Sequence, residues 1–384
     1  MSIHELTSSE FLNLCESGDT SSIDSVLKQV AALPPNQKEA ILNRFNDFPS
    51  SQFSACHIAC LNDNDGLLYV LSKGGISVQS QLKQSLTHPK FGIIPKGSTP
   101  LHIAARVNAV ACAQLLLDLP ISININSKDS NSHTPLFIAA VYNSFSVLQV
   151  IASHPKHKFD SAIATERATD LLVPATQHWP KGATALMAAA SNSSVGVGLL
   201  LKEYADVHLT DDNGYTAVHY ACQYHNAEAL ALLIEAKADI EARSIKQTQQ
   251  TAKFVTPLHV CVRHVPLSLT NGTRPAYMQC LLLLLRARVN VNAQDARGFT
   301  ALHCAAMQRD GGVTQLLVDY CAQFDIPLQL SLGTTQKVSV AQGGATLEVV
   351  PGTTAYRLAR ARQAYDCCEA LLRYEPREEA KSIE

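Results

Sequence analysis

Thr99-Pro100-Leu101-His102-Ile103-Ala104-Ala105 is a short phrase with a physical logic. The Thr hydroxyl can satisfy an N–H left orphaned at a helix start, and Pro is tolerated in the first turn, so a helix begins here. The Ala pair keeps one face of that helix thin enough for a neighbour to stack closely. The phrase recurs with drift. Thr134-Pro135-Leu136-Phe137-Ile138-Ala139-Ala140, Thr184-Ala185-Leu186-Met187-Ala188-Ala189-Ala190 and Thr216-Ala217-Val218-His219-Tyr220-Ala221-Cys222 follow in order. Thr256-Pro257-Leu258-His259-Val260-Cys261 and Thr300-Ala301-Leu302-His303-Cys304-Ala305-Ala306 complete six copies.

Weaker copies extend the series on both sides, at Ser54-Ala55-Cys56-His57-Ile58-Ala59-Cys60 and at Thr354-Ala355-Tyr356-Arg357-Leu358-Ala359. Some ten residues after each copy comes a Leu-rich segment with helical spacing, such as Leu115-Leu116-Leu117, Leu230 with Leu232-Leu233, or Leu316-Leu317. Each repeat is therefore a pair of helices. Stretches such as Val289-Asn290-Val291-Asn292-Ala293-Gln294-Asp295 then lead into turns at Gly214 or Gly298.

This periodic pattern resembles the ankyrin-repeat family over nearly the whole chain. The resemblance implies an all-α solenoid of about eight to nine helix-pair units with β-turn fingers, in which each pair buries its apolar face only against its neighbours. Phe11-Leu12-Asn13-Leu14-Cys15, followed by Ile23 to Leu27, resembles the opening of such an array, so residues 1–52 are expected to form a capping repeat and linker and 53–384 the array. Successive Thr positions from Thr99 to Thr354 lie 35, 50, 32, 40, 44 and 54 residues apart, against about 33 for a regular unit. Several units thus carry insertions, near 78–97, 151–181, 265–276 and 324–351.

Composition excludes other classes. Of 384 residues 46% are hydrophobic and 17% charged, ample for a core and unlike a disordered chain. Lys and Arg total 31 against 33 Asp and Glu, a formal charge of -2, without the basic excess that neutralises nucleic-acid phosphates. No apolar run is long enough to span a bilayer, and Met1 to Phe11 carries no signal-like apolar core. The eleven cysteines sit within apolar helical patterns, as reduced thiols do, which points to a cytoplasmic, reducing compartment.

Two insertions have features of their own. The segment 151–181 holds the sole tryptophan, Trp179, with His154, His157 and His178 nearby; it reads either as a partner-binding loop or as a loop packed onto the stack. In 324–351, Leu328, Leu330 and Leu332 alternate, then Val338 and Val340, with Gly333 and Gly343-Gly344 as turns, which predicts a β-hairpin or three short strands.

Catalytic readings find little support. His102, His219, His259 and His303 occupy the fourth position of the phrase, where the resemblance implies bonding to the backbone of a neighbouring turn. Cys56, His57 and Cys60 lack the two-residue Cys gaps of a structural zinc site and have no second ligand pair. Cys222 beside His219 and Cys304 beside His303 are generated by the repeat itself. There is no Gly-rich phosphate loop, nucleophile elbow or His-Glu-x-x-His. No cofactor or metal is expected.

The resemblance implies binding of a protein partner in a concave groove lined by the residues after the Ala pair and by the finger tips. The first set is Arg106, Tyr142, Asn192, Tyr224, His264, Gln308 and Arg362; the second is His133, Asp212, Asn213, Tyr215, Arg297 and Phe299. Tyr and Arg dominate interface energetics. Two alternatives stay open: an ankyrin-repeat effector delivered by an intracellular bacterium into a host cell, and an enzyme with a site built in the insertions.

Overall fold

The structure is a computed structural model and describes residues 6–49, 52–155, 160, 169–171, 177–245, 254–263, 273–324, 338–342 and 345–374. The chain divides into two compact units, Met1–Asp206 and Val207–Glu384.

In the first unit the helix pairs are α1 (Ser8–Ser17) with α2 (Thr20–Ala31), α4 (Ala55–Leu61) with α5 (Asp65–Lys73), α6 (Pro100–Val107) with α7 (Val110–Asp118), α8 (Pro135–Val141) with α9 (Phe145–Ala152), and α10 (Ala185–Asn192) with α11 (Ser194–Lys202). A further helix, α3 (Pro35–Asn46), fills what the sequence reads as linker. Two antiparallel hairpins interrupt the series: β1 (Leu86–His88) with β2 (Gly92–Ile94), and β3 (Thr169–Leu171) with β4 (Gln177–Trp179). The first members α1, α4, α6, α8 and α10 contact one another in that order, and so do the second members α2, α5, α7, α9 and α11.

The second unit repeats the scheme with α12 (Ala217–Gln223) and α13 (Ala227–Glu235), α14 (Pro257–Arg263) and α15 (Thr273–Arg286), α16 (Ala301–Gln308) and α17 (Gly311–Gln323), and α18 (Ala355–Ala361) and α19 (Tyr365–Tyr374). Its strands β5 (Val338–Gln342) and β6 (Ala345–Val349) pair antiparallel, as the alternation predicts for a hairpin; Gly343-Gly344 and the Leu328 to Leu332 part of that expectation lie outside the described residues. Val349 anchors β6 in a core of Phe299, Ala306, Leu358, Ala359, Ala364 and Cys367.

Local chemistry explains these boundaries. Ser54, Thr134, Thr184 and Thr354 cap their helices by accepting the backbone N–H three residues on. The first Ala of each pair ends its helix: the carbonyls of Ala59, Ala104, Ala139, Ala221, Ala305 and Ala359 accept from Asn64, Ala109, Ser144, Asn226, Asp310 and Ala364, five residues on. That closure needs a left-handed residue in between, supplied by Asp63, Asn108, Asn143, His225, Arg309 and Gln363 at φ 49 to 60. The chain reverses there and the second helix starts at once.

All described cysteines are free, and every one but the half-buried Cys368 is buried. No helix among the described residues is long and apolar enough to cross a membrane.

Candidate protein-binding face

In each unit the first members of the helix pairs, here called the inner helices, form one side where fingers and helix ends meet, and the fourth-position histidines are its frame. The backbone N–H groups of Thr99, Thr216, Thr256 and Thr300 donate to Nδ1 of His102, His219, His259 and His303 at 3.1 to 3.3 Å. A nitrogen that accepts carries no proton, so the remaining ring hydrogen is on Nε2. Those Nε2–H groups donate to the carbonyls of His133, Val255, Phe299 and Thr353, each the residue just before the next repeat's Thr. His57 joins in the same way, holding Ser54 on one side and the Ser98 carbonyl on the other. Both ring nitrogens are thus engaged, leaving none to act as a base for Cys222 or Cys304 or to bind a metal beside Cys56 and Cys60. Burial lowers the pKa of His57, His219 and His259 to about 4, partly offset by the carbonyl bond, and pushes the Cys222 thiol well above its ordinary range.

The ladder breaks at Phe137 and Met187, which cannot make the second bond. There the C-terminal end of an insertion contributes a ring: the fully buried Trp179 meets Phe137 edge to face at 5.5 Å. Trp179 secures this step and presents no surface to a partner, so the reading of Trp179 as a residue packed onto the stack is the one seen; most of the 151–181 segment lies outside the described residues.

One Asp closes each regular finger. Oδ1 of Asp129 accepts from Asn131 and His133, that of Asp211 from Asn213 and Tyr215, and that of Asp295 from Arg297 and Phe299, all at 2.8 to 2.9 Å. The sequence reading puts His133, Tyr215 and Phe299 at exposed finger tips; the structure puts all three inside. Their rings stack on Phe137, His219 and His303, shielding the ladder from water. The Asp four residues before an aromatic ring, with a left-handed residue between them, was the signal for this arrangement.

Arg106 is also buried, and its guanidinium is committed to the first hairpin. Nη2 donates to the carbonyls of Phe91 and Ile93 at 2.9 and 2.8 Å, and the plane lies 4.5 Å from the Tyr142 ring centroid. The 78–97 insertion is therefore a hairpin pinned to the ends of two consecutive inner helices.

Asn192 and Gln308 share a structural task. Asn192 Nδ2 donates to the Val141 carbonyl at 3.0 Å, and Gln308 Nε2 to the Arg263 carbonyl at 2.9 Å. Each amide caps an orphan carbonyl at the end of the preceding inner helix. What remains accessible is Tyr142 and Arg362 in part, Tyr224 at 39%, Gln308, and Arg297 with Asp212 and Asn213 on the fingers. His264 lies outside the described residues.

These features define a repeat protein of stacked helix pairs whose fingers and inner-helix ends are rigidly cross-linked. Sequence comparison gives the same class: descriptions of ankyrin repeats match residues 56–162 and 161–244, and again 275–318. The chain belongs to the ankyrin-repeat family, whose members generally mediate protein–protein interaction. It is similar to Inversin of Canis lupus familiaris, 28% identical over 71% of this chain and 22% of that protein. It is also similar to Rabankyrin-5 of Mus musculus, 25% identical over 54% and 16%, and to Neurogenic locus notch homolog protein 1 of Xenopus tropicalis, 30% identical over 39% and 5%. The chain thus spans less than a quarter of each of these relatives. Among solved structures the ankyrin repeat domain of Bcl-3 superposes with a TM-score of 0.50 at 22% identity, covering 72% of this chain and 99% of that one, a likeness of fold.

Proposed function

We propose that the chain is a non-catalytic adaptor or scaffold that holds a protein partner against the inner-helix side of its repeats. The observation that carries this is the division of labour on that side. The histidines, finger aspartates and buried rings are used in holding each stack, whereas Tyr142 in the first unit and Tyr224, Gln308, Arg297 and Arg362 in the second keep accessible surface, Gln308 while its amide also caps the Arg263 carbonyl. A rigid display of Tyr and Arg is what a binding hot spot needs, because little entropy is lost when they are covered.

The test is affinity capture from a lysate with the native chain and with a variant carrying Tyr142→Ala, Tyr224→Ala and Gln308→Ala. Proteins held by the native chain and lost by the variant, with helical circular dichroism unchanged, support the reading. Equal retention by both forms moves binding off this side.

A further inference from the structure

In the first unit the segments that follow α5 and α7 meet without closing on each other. Between them is a cavity of about 100 Å³. Val78, Leu101, Leu116 and Ile123, all buried, give it apolar walls. None of the described residues that line it carries a charge.

Its polar groups are mostly spent elsewhere. Gln79 bridges the two segments: its Nε2 donates to the Ser122 carbonyl at 2.8 Å, and its Oε1 accepts the Asn124 N–H at 3.4 Å. The second unit makes a like bridge with Glu241, whose carboxylate accepts the Asn290 N–H, so it is the amide of Gln79 that keeps this lining neutral. Asn124 commits its Oδ1 to the Asn126 N–H and its carbonyl to the Ser127 N–H, and stands with Gln81 at the exposed rim. The Thr99 hydroxyl gives its proton to His102 Nδ1 at 2.8 Å, so toward the cavity it can only accept. Ser127 is different. It keeps 8% exposure, and its Oγ has no hydrogen-bond partner among the described residues.

A buried hydroxyl without a partner costs free energy unless something bonds it. Water is the first candidate. At about 30 Å³ apiece about three molecules would fill the space, and each needs roughly two to four polar partners. One open hydroxyl and one accepting oxygen are too few for that. A single molecule with one polar head and an aliphatic body satisfies the same two groups and also covers the apolar walls. The head has to donate and accept to suit Ser127 and Thr99, and it has to be neutral, because nothing in the lining offsets a charge. A cavity of about 150 Å³ holds benzene, so this one admits about four or five non-hydrogen atoms.

We propose that this cavity is a binding site for a small neutral amphiphile, a hydroxyl or carboxamide head on a short branched aliphatic body, with the head on Ser127 and the body against Val78, Leu101, Leu116 and Ile123. Its lining shares no residue with the accessible Tyr142, Tyr224, Gln308, Arg297 and Arg362, so it stands or falls apart from the protein-binding reading.

The test is methyl NMR of the full chain, labelled at Ile, Leu and Val and titrated with isobutanol. Isobutylamine, of the same size but cationic at neutral pH, and the larger benzyl alcohol are the controls. Isobutanol should move the methyl signals of Val78, Leu101, Leu116 and Ile123 saturably, with a Kd in about the millimolar range. The methyls of Leu317, buried in the second unit, should stay where they are. Both controls should bind roughly 10-fold or more weaker. Ser127→Ala should weaken isobutanol about 5- to 10-fold, and Val78→Leu, which fills part of the space, by about as much. A methyl spectrum otherwise like that of the native chain certifies the fold of each variant, and where one folds poorly the other decides. Shifts that rise without saturating, as a cavity holding water only would give, overturn the proposal. So does equal binding of isobutylamine or benzyl alcohol, or native affinity in a folded Ser127→Ala or Val78→Leu chain.

Discussion

His259 donates its Nε2–H to the carbonyl of Phe299, 2.8 Å away in the next repeat, while its Nδ1 accepts the N–H of Thr256. The ring therefore spans two repeats only in one neutral tautomer. A proton added at Nδ1 would face an N–H that is already donating, in a site without solvent.

Acid should loosen the stack for that reason. The unfolded chain takes up a proton on each His near its ordinary value of 6.5, whereas burial holds His57, His219 and His259 to about 4 in the folded state. The unfolded form then binds more protons, so stability is intact above pH 6.5, falls as pH drops toward 4, and levels off below. Each ring should forfeit on the order of 2 kcal/mol by about pH 5. Urea midpoints measured at pH 7.5, 6 and 5 check this, and a flat profile would sink it.

Trp179→Ala should be among the most damaging single changes in the first unit. The indole is fully buried and closes the step where Phe137 replaces a ladder histidine, so its removal should cost about 3–5 kcal/mol. As the sole tryptophan it also reports on itself: native emission should be that of a shielded indole and shift to the red as the first unit unfolds. A native spectrum like that of a solvated indole would contradict the packing.

Two glycines separate strain from collision. Gly214 and Gly352 have φ +82 and +85, which an L side chain adopts at a cost. A Cβ on Gly214 would also lie 2.7 Å from the Ile245 backbone nitrogen, whereas on Gly352 it meets nothing within 4 Å. Gly352→Ala should cost about 1 kcal/mol and Gly214→Ala about 2 kcal/mol or more, read from denaturant melts.

The helices were legible because their signals are local and repeated. A Thr before an apolar run fixes a cap, and Leu-rich spacing marks the second helix. The faces were not legible in the same way. Arg106 and Tyr142 sit at helix positions that a repeat pattern reads as solvent-facing, yet a hairpin from the insertion before them covers the arginine, a contact between segments that periodicity cannot encode. Phe299 and Tyr215 follow a turn glycine and look like finger tips, but the Asp four residues earlier folds the finger back and turns the ring inward. Helix α3 was missed because Pro35 to Asn46 is polar and matches no copy of the phrase.

Asp211 and Asp295 are the same residue in two fingers, and the same substitution should affect them differently. In each, Oδ1 accepts two backbone N–H groups, which an Asn carbonyl oxygen can still do. The second oxygen decides. At Asp211 it accepts from the Tyr220 hydroxyl at 2.7 Å, and a hydroxyl can rotate to accept from an amide NH2 instead. Burial also raises the pKa of Asp211, so losing the charge removes an unfavourable element. At Asp295 that oxygen faces Arg263 and Arg297, which have no acceptor to offer, and an amide there sets donor against donor. Asp211→Asn should therefore cost about 1 kcal/mol and Asp295→Asn about 3 kcal/mol, the latter leaving two arginines without their shared anion. Parallel urea melts of the two variants decide it: equal losses would mean that the finger bonds alone set the cost and that the Arg263–Asp295–Arg297 cluster contributes nothing to the fold.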